Sequence, residues 1–347
     1  MTYALLKNPA YTRVSFQDSD TLALGELTVL AAPMHVRNIR IETLGGLPYV
    51  LFDCEKALEA GELTTLSRLS FVYAIFELCG EMLKPVALNP HYFIDAEVSG
   101  ILKYQGKTNE LFTRLMLNLA QFYVKSPPSA QRPVLNILDP LAGKGTTLFE
   151  ALMQGHNAYG IEVDDKVVHE GVVYLKKYLE TAKFKHENHT EKVSGQGEYG
   201  RFTAQRNQIT IAKSKETPKD TRHFEMVAGD TRHVAQIFKK NFFDAIVADL
   251  PYGVQHGSKT AGNKKKPQGS AITRNALGLM TEAMYGWVRV LKPGGVIVLA
   301  WNLFLIPRQE MADLLTQNGF ILPDVGVDFS HRVDQAIDRD LMVGILR

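Results

Sequence analysis

The segment Asp249-Leu250-Pro251-Tyr252 follows directly after an apolar stretch that is typical of a β-strand. Proline at position 251 disfavours helical backbone at Leu250, and the extended backbone that it favours would direct the Leu250 carbonyl outward beside the Asp249 carboxylate. Two acceptors placed so close together suit an exocyclic NH₂ group, and Tyr252 offers a flat face on which a base can stack. Taken alone, the segment is equally compatible with an ordinary turn that contains a capping aspartate.

A glycine turn, Gly143-Lys144-Gly145, lies between a predicted strand that ends at Asp139 and a predicted helix. Glycines let the backbone approach a ligand closely, and the following helix presents free N–H groups. A phosphate-binding loop requires Ser or Thr where Gly145 stands, and the dinucleotide fingerprint requires a third glycine where Leu148 stands. A tight structural turn is the alternative, and Lys144 would contact either a cofactor carboxylate or solvent.

Two further acids follow predicted strands. Glu162 lies about twenty residues after the glycines, where a carboxylate can accept hydrogen bonds from both hydroxyl groups of a ribose. Capping of the next helix is the alternative, and it suits Asp164 or Asp165 better. Asp230 follows the third strand, where it can accept a hydrogen bond from an adenine amino group. Because strands of open α/β sheets bind ligands at their carboxyl ends, this row of acids predicts a site for a nucleoside without phosphates.

The elements that position these acids alternate along the chain from about residue 134. Short apolar segments of strand type alternate with helical segments, which predicts a mostly parallel sheet with helices on both faces. The last two apolar segments, DVGVDFSHRV and RDLMVGILR, have no helix between them and predict an antiparallel hairpin at the sheet edge. We therefore expect an α/β fold for residues 96–347.

Residues 1–95 have a different pattern and predict a small α+β domain, which ends in the proline-containing segment KPVALNPHYF. Two helices are predicted, one over SDTLALGELTVLAA and one over LSRLSFVYAIFELCGEML. Between them, two strands are predicted around Gly45-Gly46. A further helix, GKTNELFTRLMLNLAQFYV, connects this domain to the first strand of the α/β part.

Composition narrows the class of protein. The chain of 347 residues is 45% hydrophobic and 22% charged, as soluble globular proteins are, and its net charge of +2 indicates no partner by itself. Cys54 and Cys79 form no CxxC pair, which favours reduced thiols and no zinc site. The N-terminus lacks a signal-peptide pattern, and no apolar run is long enough for a membrane span. These features predict a cytoplasmic protein without a metal or a membrane partner.

The segments DPLAGKGTT, GIEVD, GD and DLPYG together resemble the class I S-adenosylmethionine-dependent methyltransferases. The amino-group branch of that class has [N/D/S]-P-P-[Y/F/W] at the fourth strand end. LDPLAGKGTTLFEAL, DLPYG and the terminal HRVDQAIDRDLMV are more closely similar to the tRNA guanosine-N2 methyltransferases, whose catalytic domain commonly follows a THUMP RNA-binding domain. The resemblance covers about residues 96–347. Leu250 replaces the commoner proline, and residues 1–95 are shorter than a ferredoxin-like region plus a complete THUMP domain.

The resemblance implies a Rossmann-like fold with a seven-stranded, mostly parallel sheet and an antiparallel edge hairpin, and S-adenosylmethionine as cofactor. Catalysis is assigned to Asp249, Leu250, Pro251 and Tyr252, which would hold the amine and stack on a flipped base. The implied cofactor contacts are Asp139, Pro140, Ala142, Gly143, Gly145, Thr146, Thr147, Glu162, Val163, Asp230, Thr231 and Asp249. The implied reaction is methylation of guanosine N2 in tRNA. The acceptor pair also suits adenine N6 or a glutamine amide, and a non-catalytic RNA-binding protein is the remaining alternative.

Two polar segments are the candidate tRNA contacts. Residues 183–222 contain nine Lys or Arg and five acids, and residues 255–274 contain five basic residues and no acid. Flexible basic loops beside the reaction centre could contact tRNA phosphates, although solvated surface loops are the alternative. His186 and His189 have no third ligand nearby in the sequence and are interpreted as solvated rather than metal-binding.

Overall fold

The structure is a computed structural model that describes most of the chain in eight segments. These are residues 1–9, 13–96, 98–101, 109–124, 133–213, 219–251, 276–333 and 335–347, and of residues 13–18 and 101 it describes the backbone only. Tyr252 and the basic segment 255–274 lie outside the described residues, so the predictions made for them stay predictions. The described residues form two β-sheets, one of five strands and one of ten.

The smaller sheet is antiparallel and has the order β2-β3-β1-β4-β5. Its strands are β1 (Thr2–Lys7), β2 (Arg37–Leu44), β3 (Leu47–Asp53), β4 (Val72–Cys79) and β5 (Met82–Val86). Helix α1 (Arg13–Leu30) follows β1, and α2 (Ala60–Ser67) follows β3. The succession βαββαβ with this strand order is a ferredoxin-like arrangement, to which β5 adds one edge strand.

The prediction of a helix over LSRLSFVYAIFELCGEML is wrong. Helix α2 ends at Ser67, and the rest of the segment forms β4, a turn at Gly80 with a φ of 62°, and β5. The β-branched and aromatic residues of β4 favour a strand, and β1, to which the sequence assigned no element, supplies the pairing partner. The helix over SDTLALGELTVLAA and the strand pair around Gly45-Gly46 are confirmed.

The larger sheet has the order β13-β15-β12-β11-β6-β7-β10-β9-β8, and β14 pairs with β15. Its strands are β6 (Asn136–Asp139), β7 (Asn157–Glu162), β8 (His186–Gly197), β9 (Gly200–Ala212), β10 (Thr221–Ala228), β11 (Phe243–Asp249), β12 (Leu291–Asn302), β13 (Phe320–Ile321), β14 (His331–Arg332) and β15 (Asp338–Leu346). The five strands from β12 to β10 are parallel, whereas β15, β13 and β9 are antiparallel to their neighbours. The predicted class I fold is thereby confirmed, but the sheet has ten strands rather than the expected seven, since β8, β9 and the short β13 add to it.

Two parts of this sheet differ from the sequence-based prediction. The polar segment 183–222 was expected as a loop, but much of it forms the hairpin of β8 and β9, which extends the sheet. In β9 the buried residues Ala204, Ile209 and Ile211 are interspersed with polar residues, and no residue of β8 is buried, so the segment lacks the run of apolar residues that would have indicated strands. The terminal hairpin is also displaced, because β15 lies between β12 and β13 rather than at the edge.

Helices cover both faces of the larger sheet. They are α3 (Val98–Ile101), α4 (Glu110–Tyr123), α5 (Thr146–Met153), α6 (Asp165–Thr181), α7 (Val234–Ile237), α8 (Ala276–Val290) and α9 (Arg308–Gln317). None of the helices in the described part of the chain is long and apolar enough to cross a membrane.

Helix α4 joins the two sheets. The Asn118 side-chain amide of α4 donates to the buried Glu26 carboxylate of α1 at 2.7 Å and to the Arg68 carbonyl at 2.9 Å. Buried apolar residues of both sheets belong to one hydrophobic core. The division of the chain into domains at residues 95 and 96 stays a prediction.

Candidate active site

The structure brings the four predicted acids to one edge of the larger sheet. Asp139, Glu162 and Asp249 are the last residues of β6, β7 and β11, and Asp230 follows two residues after β10. These four strands are neighbours in the order β11-β6-β7-β10. The acids therefore line the carboxyl ends of adjacent parallel strands, where α/β sheets bind ligands.

Asp139 is the most deeply buried of these acids, with 4% of its surface exposed. Its Oδ1 accepts a hydrogen bond from the Leu141 N–H at 3.0 Å. Burial, aided by the negative charges of Asp249 and Glu162, raises the pKa of Asp139 to about 7, although hydrogen bonds from the Thr147 side chain and the Leu141 N–H favour the ionised form. The carboxyl group is thus able to gain or lose a proton near neutral pH.

The glycine turn between β6 and α5 is tied to the end of β7. Gly143 and Gly145 have φ values of 52° and 95°, in the left-handed region that favours glycine. The Gly143 N–H donates to Glu162 Oε2 at 3.1 Å. Lys144 Nζ lies 2.5 Å from Glu170 Oε2 of α6, so an ion pair within the chain accounts for its position.

Helix α6 packs so closely on this turn that it requires glycine at position 171. A Cβ atom on Gly171 would lie 2.6 Å from the Lys144 carbonyl oxygen, a backbone atom. We expect Gly171→Ala to lower the free energy of unfolding by about 1–3 kcal/mol, as overpacking does, because the turn or the helix must shift. Denaturant unfolding measures this change.

Gly61 supplies the matched control, since it lies in helix α2 and a Cβ atom there would meet nothing within 4 Å. Gly61→Ala should leave stability unchanged or raise it by about 0.5–1 kcal/mol. Equal effects of the two substitutions would contradict the close contact at Gly171.

Glu162 does not cap helix α6. Its Oε1 accepts from the Asp164 N–H at 3.0 Å, and burial raises its pKa. The cap is Asp164, whose Oδ1 accepts from the Lys166 and Val167 N–H groups at 2.9 and 3.4 Å. This is the capping role that the sequence favours for Asp164 or Asp165. Backbone N–H groups of Gly143, Val163 and Asp164 act on the Glu162 carboxylate, whose two oxygens have about four lone-pair sites, so it retains capacity for a further donor.

Asp230 is held by Arg232. Arg232 Nη2 donates to Asp230 Oδ2 at 2.6 Å, and the backbone N–H of Arg232 donates to Oδ1 at 2.9 Å. Burial works to raise the pKa of Asp230, but the hydrogen bonds and charge of Arg232 outweigh it, and the pKa lies below the ordinary range. The next residue, Thr231, accepts at Oγ1 from the Trp287 indole N–H at 2.9 Å, which anchors this strand end to α8.

The tip of the β8–β9 hairpin reaches the same strand end. The Arg232 guanidinium lies 5.3 Å from the centre of the Tyr199 ring, and the Tyr199 hydroxyl donates to the Glu282 carbonyl at 2.8 Å. A cleft of about 620 Å³ opens between α6 and the strands β8, β9 and β10. Its lining includes Lys166, His169, Lys192, Thr203, Gln205 and Asn207. The hairpin therefore borders the row of acids.

At the fourth strand end the sheet hydrogen bonding continues beyond β11, because the Leu250 N–H donates to the Ala300 carbonyl at 2.8 Å. The Leu250 side chain is buried, and Pro251 is half-buried. Asp249 Oδ2 lies 3.9 Å from Arg339 Nη2, and the side chains are only 10% and 8% exposed. The Arg339 guanidinium also lies 4.5 Å from the centre of the Phe112 ring.

Arg339 was not among the sequence-predicted site residues. Its stretch, HRVDQAIDRDLMV, contributed to the family resemblance, which was the available signal. The contact with Asp249 arises because β15 pairs with β12 and β12 pairs with β11. This neighbour relation depends on tertiary structure and could not be derived from spacing.

The family model for the RMKL-like methyltransferase domain (UPF0020) matches residues 113–286, which is half of the chain. Solved structures of similar fold include TrmN from Thermus thermophilus, with 16% identity over 89% of this chain and 59% of that chain and a TM-score of 0.40. A TehB-like SAM-dependent methyltransferase from Corynebacterium glutamicum has 13% identity over 62% of this chain and 82% of that chain, with a TM-score of 0.32.

Magnesium protoporphyrin IX methyltransferase from Synechocystis PCC 6803 with bound SAM has 13% identity over 70% of this chain and 87% of that chain, with a TM-score of 0.37. This chain thus spans less than two thirds of the TrmN chain and more of the other two. Comparison with curated protein sequences gave no significant match.

Proposed function

The chain belongs to the family of RMKL-like methyltransferase domains, and from this premise we propose that it methylates the exocyclic N2 amino group of a guanosine in tRNA. The observation that carries the proposal is the position of Asp249. This acid ends β11 beside the buried Asp139 of β6, and Leu250 and Pro251 follow it at the ligand-binding edge. The choice of guanosine within tRNA comes from the resemblance of the motifs around it.

The methyl donor is S-adenosylmethionine, which supplies an electrophilic methyl group on a sulfonium sulfur when it is bound. The edge fits such a ligand, because Glu162 retains lone pairs for ribose hydroxyls and the two left-handed glycines carry no Cβ atoms in the turn beside it. Asp230, which is already held by Arg232, borders the proposed nucleoside site rather than offering a free carboxylate. The remaining proposed contacts come from the β6–α5 and β7–α6 connections, from the first two residues of α5, and from Thr231 after β10.

The reacting amine is proposed to be held by the Asp249 carboxylate and the Leu250 carbonyl. An aromatic amine is a poor nucleophile, since its lone pair is delocalised into the ring. Two acceptors on its N–H bonds favour a pyramidal nitrogen, so positioning and electrostatics supply most of the catalysis. Asp249 or water takes the released proton, and charge attraction from Arg339 holds the Asp249 side chain in place. Tyr252 is proposed to stack on the target base.

The tRNA is proposed to contact the β8–β9 hairpin, which borders the site, and the basic segment 255–274. The ferredoxin-like unit at the N-terminus is proposed as a further RNA-binding part, and the cytoplasm as the place of action. These assignments rest on the position of the hairpin, on local charge and on the motif resemblance.

Transfer of labelled methyl groups tests the proposal. The purified protein is incubated with labelled S-adenosylmethionine and, separately, total tRNA, rRNA, duplex DNA and protein, and the products are hydrolysed and separated. We expect label in N2-methylguanosine from tRNA. Label in N6-methyladenosine or in methylated glutamine would move the function to another amino group, and no label in any substrate would contradict catalysis.

A further inference from the structure

An aromatic side chain with a cation above it stands exposed near the reaction edge. Phe304, in the loop that follows β12, is 58% exposed, and the Arg332 guanidinium of β14 lies 5.1 Å from the centre of its ring. We propose that Phe304 and Arg332 form a stacking platform for an unpaired nucleobase next to the target nucleotide of the RNA substrate. This inference rests on the proposed function and adds a second substrate contact to it.

The platform lies on the same sheet edge as Asp249. Strand β12 is the direct neighbour of β11, and Asp249 pairs with Ala300. Phe304 follows Ala300 by four residues, so the Cα atoms of Ala300 and Phe304 are at most about 14 Å apart even in fully extended backbone. Paired strands lie about 5 Å apart, so Phe304 is within about 19 Å of Asp249, near enough for a nucleotide adjacent to the methylated one.

The backbone that carries Phe304 is fixed by Asn302, which is 3% exposed. Asn302 Oδ1 accepts from the Phe304 N–H at 3.2 Å and from the Asp338 N–H at 3.1 Å, and Nδ2 donates to the Ala336 carbonyl at 3.0 Å. The same amide therefore connects the β12 loop to the β14–β15 hairpin. An aromatic ring on so rigid a support can bind a base with little loss of conformational entropy.

The β14–β15 hairpin also connects the platform to the reaction centre. His331 pairs with Arg339, and Arg332 pairs with Asp338. Arg339 faces Asp249, whereas Arg332, one position further along β14, points to the opposite side of the hairpin and covers Phe304. A guanidinium beside an aromatic face contributes both cation–π attraction and a contact for a phosphate, which favours RNA over an apolar protein segment as the occupant.

Binding of fluorescently labelled total tRNA, followed by anisotropy, tests the platform. Phe304→Ala should weaken binding roughly tenfold, the effect of losing one base–aromatic stack, whereas Phe304→Trp should bind as wild type does. In the methyl-transfer assay, Phe304→Ala should raise the KM for tRNA and leave kcat within about twofold. Arg332→Gln should reduce the slope of log K against log salt by about one.

Tyr285 provides the matched control, because it is an aromatic residue of α8 with 66% exposure. Tyr285→Ala should bind tRNA as wild type does, and thermal unfolding checks that all variants are folded. If wild type methylates tRNA and Phe304→Ala binds it equally well, the platform is refuted while the proposed function stands. If wild type methylates no RNA but Phe304→Ala and Phe304→Trp behave as expected in binding, the proposed reaction fails and the platform remains. Equal losses of tRNA affinity in the Phe304→Ala and Tyr285→Ala variants would contradict the proposed platform.

Discussion

Replacing Asp249 by alanine is expected to lower kcat for methyl transfer by roughly 100- to 1000-fold, the range found when one preorganised hydrogen-bonding group is removed from an active site. The reason is that the amine loses the acceptor that holds one N–H bond and orients its lone pair. Binding of S-adenosylmethionine should change far less than kcat, because the glycine turn and Glu162 are untouched. Single-turnover kinetics and calorimetric titration measure the two effects separately.

Asp244 offers a control on the same strand. It lies near the amino end of β11, where its carboxylate accepts from the Asn136 N–H at 2.8 Å and pairs with Lys292 Nζ at 2.6 Å. Its side chain is 16% exposed, close to the 10% of Asp249, so the two sites differ mainly in their end of the strand. Asp244→Asn should reduce stability and leave kcat unchanged. Robust methyl transfer by Asp249→Ala would remove this residue from the proposed reaction centre.

The row of acids could be predicted from the sequence because its geometry follows from topology. In a parallel sheet all carboxyl ends meet at one edge, so finding Asp139, Glu162 and Asp249 each at the end of an apolar segment was enough to place them together. The capping of α6 by Asp164 could likewise be assigned, since it involves only residues close in sequence.

The other features depend on partners distant in the chain. Apolar runs such as the one in β4 suit either a buried helix or a strand, and the decision came from pairing with β1. The sequence of the β8–β9 hairpin resembles a polar loop because no residue of β8 and only four of the thirteen residues of β9 are buried. The ion pair of Arg232 with Asp230 could be recognised only from side-chain positions in the folded protein. The contact of Arg339 with Asp249 could be recognised only from the order of the strands.

Binding of S-adenosylmethionine should tighten as the pH rises from about 5 to about 7, by up to tenfold per pH unit. Burial raises the pKa of Asp139 to about 7, so below that pH the site contains a protonated carboxyl group. The cofactor carries a net positive charge and therefore favours the ionised form, which means that binding releases a proton. Affinities across this range, with proton release measured by calorimetry in two buffers of different ionisation enthalpy, check the expectation.

The variant Asp139→Asn should lose most of this pH dependence, with the raised pKa of Glu162 accounting for what remains. In the absence of cofactor, titration of the Asp139 carboxyl group also changes the free energy of unfolding with pH. The folded-state pKa of about 7 lies above the ordinary value of 3.8, so the folded state keeps a proton that the unfolded state has lost between these pH values. The free energy of unfolding of the wild type should therefore fall as the pH rises through this window. At pH values above about 7, Asp139→Asn should be more stable relative to the wild type than at low pH. An equally steep pH dependence of cofactor affinity in wild type and Asp139→Asn would show that another group titrates in the site.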